Sequence, residues 1–334
     1  MATYSMSPSE EIDELHRGDE RVRVRRARWS WTEDGPPLVA EYTAPAGRPV
    51  RGTVLLVHGL AQNRFTWRVS RRSLPAALAA RGLASLNLEL RGHGLSRELG
   101  PAHARCWEDY VEDAARVARS VPGPLFAMGH SLGAAVCLAL SAEVPLQGVV
   151  HLAGVYGFAT TNPTLRAMAR ASLRLEPVLR GVGPRLSTQW AGELIARLYS
   201  LTDFAGYGLP LAGWTPGSIE RDVLAERLEN GFDWTSLEVW LELCGLAAGR
   251  PFPGAATLEQ SSTPLLVMSG RDDVLASPED AAGALVRPAH ADTTHIVFDR
   301  FEHGHRFGHL DIVIGRHAPD VIWPVALDWM EKRL

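Results

Sequence analysis

The sequence predicts an α/β fold, a doubly wound and mostly parallel sheet interrupted by an inserted helical block. Three observations predict it. Short apolar runs ending in glycine or a turn alternate with helix-length segments, as in βαβ units with right-handed crossovers. The runs are apolar throughout rather than at every second position, which marks strands buried on both faces. The alternation then lapses from about Val155 to Ser262 and resumes afterwards.

The elements follow in order. "RVRVRRARWSW" alternates as a strand, and "PLVAEYTAP" follows the turn signal "EDGP". "GTVLLVHG" is a buried strand closed by glycine, and "SLPAALAARG" is a helix with Pro75 near its start and Gly82 at its end. The strand "LASLNLEL" runs into the loop "RGHGLS", where His93 reads as a loop residue. "CWEDYVEDAARVARSV" sets Val111, Ala114, Val117 and Val121 on one helical face. "PLFAMGHS" is a strand, "LGAAVCLALSAE" a helix and "LQGVVHLAG" a strand. The block that follows holds only helix-like segments: "PTLRAMARASLRL", "TQWAGELIARLYSL", "IERDVLAERLEN" and "TSLEVWLELCGLAA". The strand "TPLLVMSG", a helix after "SPEDAAGALV", the strand "HIVFDRF" and a final helix ending "ALDWMEKRL" complete the chain. The expected division is a core of residues 1–154 and 263–334 around an insertion of residues 155–262.

The totals narrow the function. With 334 residues, 46% hydrophobic and 22% charged, the chain reads as globular. A net charge of −4 supplies no basic field for nucleic acid. Cys106, Cys137 and Cys244 are scattered and odd in number, which fits a reducing compartment better than a disulfide framework. The opening "MATYSMSPSEEIDELHRGDERVRVRR" lacks the apolar run of a signal peptide, and no apolar stretch is long enough to span a bilayer. A cytoplasmic protein is the expectation.

"MGHSLGAA" carries the chemistry. Ser131 stands at the centre of Gly-x-Ser-x-Gly, between a buried strand and a helix of small residues. That context suits a sharp turn lifting a nucleophilic hydroxyl above the sheet. Gly129 and Gly133 would let strand and helix approach closely. Acyl transfer also needs two converging backbone N–H donors for the tetrahedral oxyanion. Leu132, directly after the serine, offers one. Leu60, in "LLVHGLAQN" after an earlier strand, is expected to offer the other.

"HGLAQNRFTW", "LNLELRGHGLS", "GHSLG", "VMSGRDD" and "FGHLD" stand in an order that resembles the α/β-hydrolase family. The capped lipases, esterases and lysophospholipases, including monoacylglycerol-lipase-like enzymes, are the group most similar. The resemblance implies a triad in chain order Ser…Asp…His and a cap formed by the helical block. The family's acid lies three positions beyond the strand-ending glycine, which from Gly270 gives Asp273. Asp272 is the alternative, one register step away. The family's base lies after the last strand, where "FEHGHRFGHLDIVIG" holds His303, His305 and His309. The "GHLD" phrase selects His309.

A His-x-His cluster also suits a transition metal. Yet a metal needs further ligands, and the sequence offers no second dense cluster. No metal and no cofactor are expected. His303 and His305 read as loop or pocket-rim residues. His130 could line the substrate pocket or pack structurally, and the same choice applies to Trp190, Trp214, Trp234 and Trp240 in the block. The expectation is a small-molecule carboxylic ester as substrate, cleaved through an acyl-enzyme. Other acyl or carbon–carbon bond hydrolysis, or small-molecule binding on the same scaffold, are the alternatives.

Overall fold

The computed structural model describes residues 5–6, 11–17, 19–157, 162–188, 213–286 and 291–334. Its centre is a ten-stranded sheet in the order Ser5–Met6, Glu20–Trp31, Leu38–Pro45, Leu83–Glu89, Gly52–Val57, Leu125–His130, Gly148–Leu152, Leu265–Gly270 and Thr293–Phe298; the tenth strand, Glu11–Arg17, pairs with Glu20–Trp31 off this path. From Leu83–Glu89 to Thr293–Phe298 every pairing is parallel. The N-terminal strands pair antiparallel.

The apolar runs are continuous because both faces of the sheet are covered. Leu55, Val57, Ala127, Leu265 and Val267 pack into one buried cluster with the helix Glu108–Arg119. The alternate residues Val54, Leu56, Phe126, Met128, Leu266 and Met268 pack into a second cluster with the C-terminal helix Trp323–Glu331. Local signals set the helix ends. Ser73 accepts a hydrogen bond from the Ala76 N–H at 3.2 Å, capping Leu74–Ala80 with Pro75 in its first turn. Glu108–Arg119 carries acids in its first turn and arginines in its last, matching the helix dipole.

Three features depart from the sequence reading. Glu11–Arg17 is a strand although its two apolar residues, Ile12 and Leu15, give no strand period; its register sets Glu11 and Glu14 opposite Arg26 and Arg23. The last strand stops at Phe298, because Asp299 caps a short helix, Arg300–His303, accepting from Phe301 N–H at 2.8 Å and Glu302 N–H at 2.9 Å. Between the adjacent strands Gly148–Leu152 and Leu265–Gly270, helices Pro163–Arg174, Glu176–Val182, Arg221–Gly231 and Leu237–Ala247 are joined by a small antiparallel pair, Arg185–Ser187 with Trp234–Ser236. The segment "TQWAGELIARLYSL" lies outside the described residues. Among the described residues, no helix is long and apolar enough to cross a membrane.

Glu89 closes its strand fully buried, with Arg64 donating to its Oε1 at 2.9 Å. Burial outweighs that pairing and raises the carboxyl to about 7. An unfolded glutamate titrates near about 4.3, so between the two values the folded chain holds the extra proton. This contribution is full below the unfolded value and is lost as pH rises through about 7. Its size is roughly 4 kcal/mol. Glu89→Gln should therefore flatten the decline of melting temperature between about pH 5 and about pH 8 relative to the unaltered chain. Identical slopes would mean that Glu89 is ionised across that range.

Candidate active site

The parallel strands bring their carboxyl ends to one rim, where ligand sites of open α/β sheets form. At that rim Ser131 sits between the strand Leu125–His130 and the helix Leu132–Leu140, with φ 56° and ψ −122°. For a residue with a side chain this left-handed backbone costs about 1–2 kcal/mol. The surroundings hold it there. Ser131 N–H donates to Leu152 O at 3.2 Å, and Ser131 O accepts from Ala134 N–H at 3.1 Å and Val155 N–H at 3.2 Å. A Cβ on Gly129 would lie 2.0 Å from Gly133 O, and one on Gly133 would lie 2.2 Å from Val57 O. Only glycine fits at either place.

A third close approach builds the opposite side. A Cβ on Gly270 would lie 2.3 Å from Phe307 O, so glycine lets the loop after the last strand pass over this strand end. Asp272 N–H donates to Phe307 O at 3.0 Å, which fixes the crossing. The crossing sets His309 beside Asp273: Nδ1–H donates to Oδ2 at 2.8 Å, with both side chains buried. The other oxygen of Asp273 accepts from Leu275 N–H at 2.8 Å and Ala276 N–H at 2.9 Å. Asp272 instead points to Arg306, which donates from Nε at 3.0 Å. His130 links the two sides. Its Nε2–H donates to His309 O at 2.9 Å, and its ring centroid lies 4.6 Å from that of His309.

The loop after Gly52–Val57 supplies Leu60, half-buried beside the elbow strand. His58 braces it from below, accepting from Leu90 N–H at Nε2 (3.2 Å) and donating from Nδ1–H to Gly59 O (2.9 Å). Burial, then the neighbouring His93, holds the His58 imidazole well below its usual pKa, so it stays neutral. Burial, then His309, does the same to His130. Ala61 is left-handed at φ 53°, and its carbonyl accepts from Asp233 N–H at 2.8 Å. Among the described residues, neither the Leu60 nor the Leu132 N–H has an acceptor.

The other two histidines of the His309 loop pack on rings elsewhere. His303 packs on Phe298 with centroids 4.8 Å apart, and His305 stacks on His317 at 3.4 Å. Among the described residues, no three His, Cys, Asp or Glu side chains converge as a metal site. His130 is fully enclosed and braces the His309 loop rather than facing an open pocket. Trp214 is buried in the cluster that contains Leu310. Trp240 packs with Ala169, Leu173 and Cys244 between two helices and donates to Ser172 Oγ at 3.3 Å. Trp234 is half-buried at a small recess with Arg91, His103 and Arg185. Trp190 lies outside the described residues.

The sequence reading missed how the segment between Val155 and Ser262 grips all three loops. Asn162 Nδ2 donates to Val274 O at 2.8 Å, just past Asp273. Buried Asp311 accepts from Thr215 N–H at 3.0 Å, Thr215 Oγ1–H at 2.6 Å and Gly308 N–H at 2.5 Å, tying that segment to the His309 loop. Asn63 Nδ2 donates to Asn230 O at 2.8 Å and to Asp233 Oδ2 at 3.2 Å, beside Leu60. Asp311 stands in the quoted "GHLD" phrase, but nothing there indicates its partner.

Among curated proteins, no sequence matches the chain. Solved structures do. A monoacylglycerol lipase from Paleococcus ferrophilus is similar at 18% identity and TM-score 0.63, over 89% of this chain and 99% of that one. A soluble variant of monoglyceride lipase from Saccharomyces cerevisiae, solved with a substrate analog, matches at 18% identity and TM-score 0.64, over 91% and 94%. A thermophilic esterase from Thermogutta terrifontis matches at 18% identity and TM-score 0.58, over 92% and 98%. The family model described as the alpha/beta hydrolase family matches residues 54–313, from the strand before Leu60 to just past His309, and the chain belongs to that family.

Proposed function

We propose that the chain is a serine hydrolase of carboxylic esters, with Ser131 as nucleophile, His309 as base and Asp273 as the acid that orients it. The observation that carries this reading is the buried Asp273–His309 pair, joined through His130 to a serine held in a strained turn. As Ser131 Oγ bonds to the acyl carbon, its proton passes to His309 Nε2. The carbonyl electron pair moves to oxygen, within reach of the Leu60 and Leu132 N–H donors. Collapse of this intermediate breaks the bond to the leaving oxygen, which takes the proton from His309. Water repeats the sequence on the acyl-enzyme and releases the acid. Asp273 keeps Nδ1 protonated and offsets the imidazolium charge. The chemistry draws on no cofactor.

Residues 155–262 act in this reading as a cap that sets substrate size. The proposed substrates are small to medium acyl esters, including monoacylglycerol-like lipids; the named activities of the similar structures support that choice. Each methylene buried under a cap adds roughly 0.8 kcal/mol, about fourfold in specificity, until the chain meets the cap wall. Assay of p-nitrophenyl esters from acetate to palmitate should give kcat/KM that climbs and then breaks, with little hydrolysis of emulsified triolein. A flat profile, or strong triolein hydrolysis, argues against an enclosing cap. Absence of ester turnover together with absence of fluorophosphonate labelling would remove the serine-hydrolase reading itself.

A further inference from the structure

The helix Arg221–Gly231 carries one residue that its packing does not explain. Arg227 is only 2% exposed, yet no carboxylate pairs with it among the described residues, and its Nη1 has no hydrogen-bond partner there. Buried arginines are ordinarily paired, because an isolated charge loses its hydration without compensation. The guanidinium folds over the end of its own helix, where a Cβ on Gly231 would lie 1.7 Å from Nη1. Burial lowers its pKa to about 10, which still leaves it charged at neutral pH. Among the described residues it therefore stands as a bare cation.

Its surroundings say where that charge is directed. Nη2 donates to Thr66 Oγ1 at 3.5 Å, and Thr66 Oγ1–H donates on to Gln62 Oε1 at 2.8 Å. The Gln62 carboxamide lies against Gly59, 3.1 Å from where a Cβ would be, and Gln62 N–H donates to Gly59 O at 3.3 Å. A chain of aligned dipoles thus runs from the guanidinium to the turn that presents the Leu60 N–H. The Arg227 charge also helps depress the imidazoles of His58, before that turn, and His130, before Ser131.

We propose that Arg227 is an electrostatic positioning residue for the oxyanion loop. Its charge, without a carboxylate partner among the described residues and carried through Thr66 and Gln62, favours negative charge where Leu60 and Leu132 converge. The inference rests on the assignment of those two donors. A cation in a water-excluded site acts at far greater strength than in solvent, and it matters most when the substrate oxygen becomes charged.

The test compares Arg227→Met, which keeps bulk without charge, with Arg227→Lys, which keeps charge. Loss of a direct oxyanion donor costs about 10²–10³ in kcat, so an indirect contribution should cost roughly tenfold. Arg227→Met should lower kcat by that factor with KM little changed. It should weaken binding of a trifluoromethyl ketone, which forms a tetrahedral oxyanion on the serine, by the same factor, while an unreactive alcohol of the same skeleton binds as before. Arg227→Lys should recover most of both losses. Thr66→Val, which cuts the relay and leaves Arg227 in place, should lose part of kcat, and it decides the matter if Arg227→Met does not fold. Unchanged kcat in the folded variants, equal losses in the Met and Lys forms, or equal weakening of ketone and alcohol would each overturn the proposal. An unaltered chain that fails to take up fluorophosphonate at Ser131 would overturn the serine-hydrolase reading and this inference with it.

Discussion

Ser131→Ala is expected to abolish fluorophosphonate labelling and to cut ester turnover by about 10⁶-fold, the scale seen when a triad nucleophile is removed. The hydroxyl is the only group lost. Alanine keeps a Cβ at φ 56°, so the strain of the turn and its hydrogen bonds to Leu152, Ala134 and Val155 persist. The melting temperature should barely move, which separates a chemical loss from a folding loss. Glycine at the same position would remove the Cβ and relax the turn, so it is the poorer control. Mass spectrometry of the labelled peptide locates the reaction. A folded Ser131→Ala protein that still takes up the probe at another serine would refute the assignment.

The second large effect separates the two neighbouring aspartates. Asp273→Asn should lower kcat by about 10⁴-fold, because an amide neither offsets the imidazolium charge nor holds the Nδ1–H tautomer. The folded state should survive, since the carboxamide oxygen can still accept from Leu275 and Ala276. Asp272→Asn removes only a half-exposed pairing with Arg306, a class of interaction worth about 0–1 kcal/mol, and should leave kcat within a few-fold. His309→Ala should match the loss of the nucleophile. His303→Ala and His305→Ala, whose rings pack on Phe298 and His317, should retain most activity, and a chelator should change nothing. A larger loss from Asp272→Asn than from Asp273→Asn would reassign the acid. Metal-dependent turnover would reopen the role of the histidine cluster.

How far these sites could be read in the sequence follows from the range of the interactions involved. Gly129, Ser131 and Gly133 mark their turn within five consecutive positions, because Gly129 approaches Gly133 itself; that Gly133 also packs on the distant Val57 carbonyl adds to a signal already local. The sheet was legible for a similar reason: strands such as Val54–Val57 are apolar at every position when two packed layers cover them. Glu11–Arg17 was not legible, since it is a strand through its pairing with Glu20–Trp31 and not through any pattern of its own. The clamps were hidden for the same cause at longer range. Asn63 and Asp233 are separated by 170 positions, Asn162 and Val274 by 112, and Thr215 and Asp311 by 96. An isolated Asn or Asp in a loop carries no sign of such a partner. Arg227 sits in a helix whose charged residues, read in sequence, all look solvated.

The three grips on the loops of Leu60, Asp273 and His309 make the intervening segment a poor candidate for exchange between relatives. A graft that lacked Asn162, Thr215, Asn230 and Asp233 would leave Asp273, His309 and Leu60 on loops deprived of these braces. In the proposed reading, a change in the segment that admits a new substrate also loosens the loops that carry Asp273 and His309.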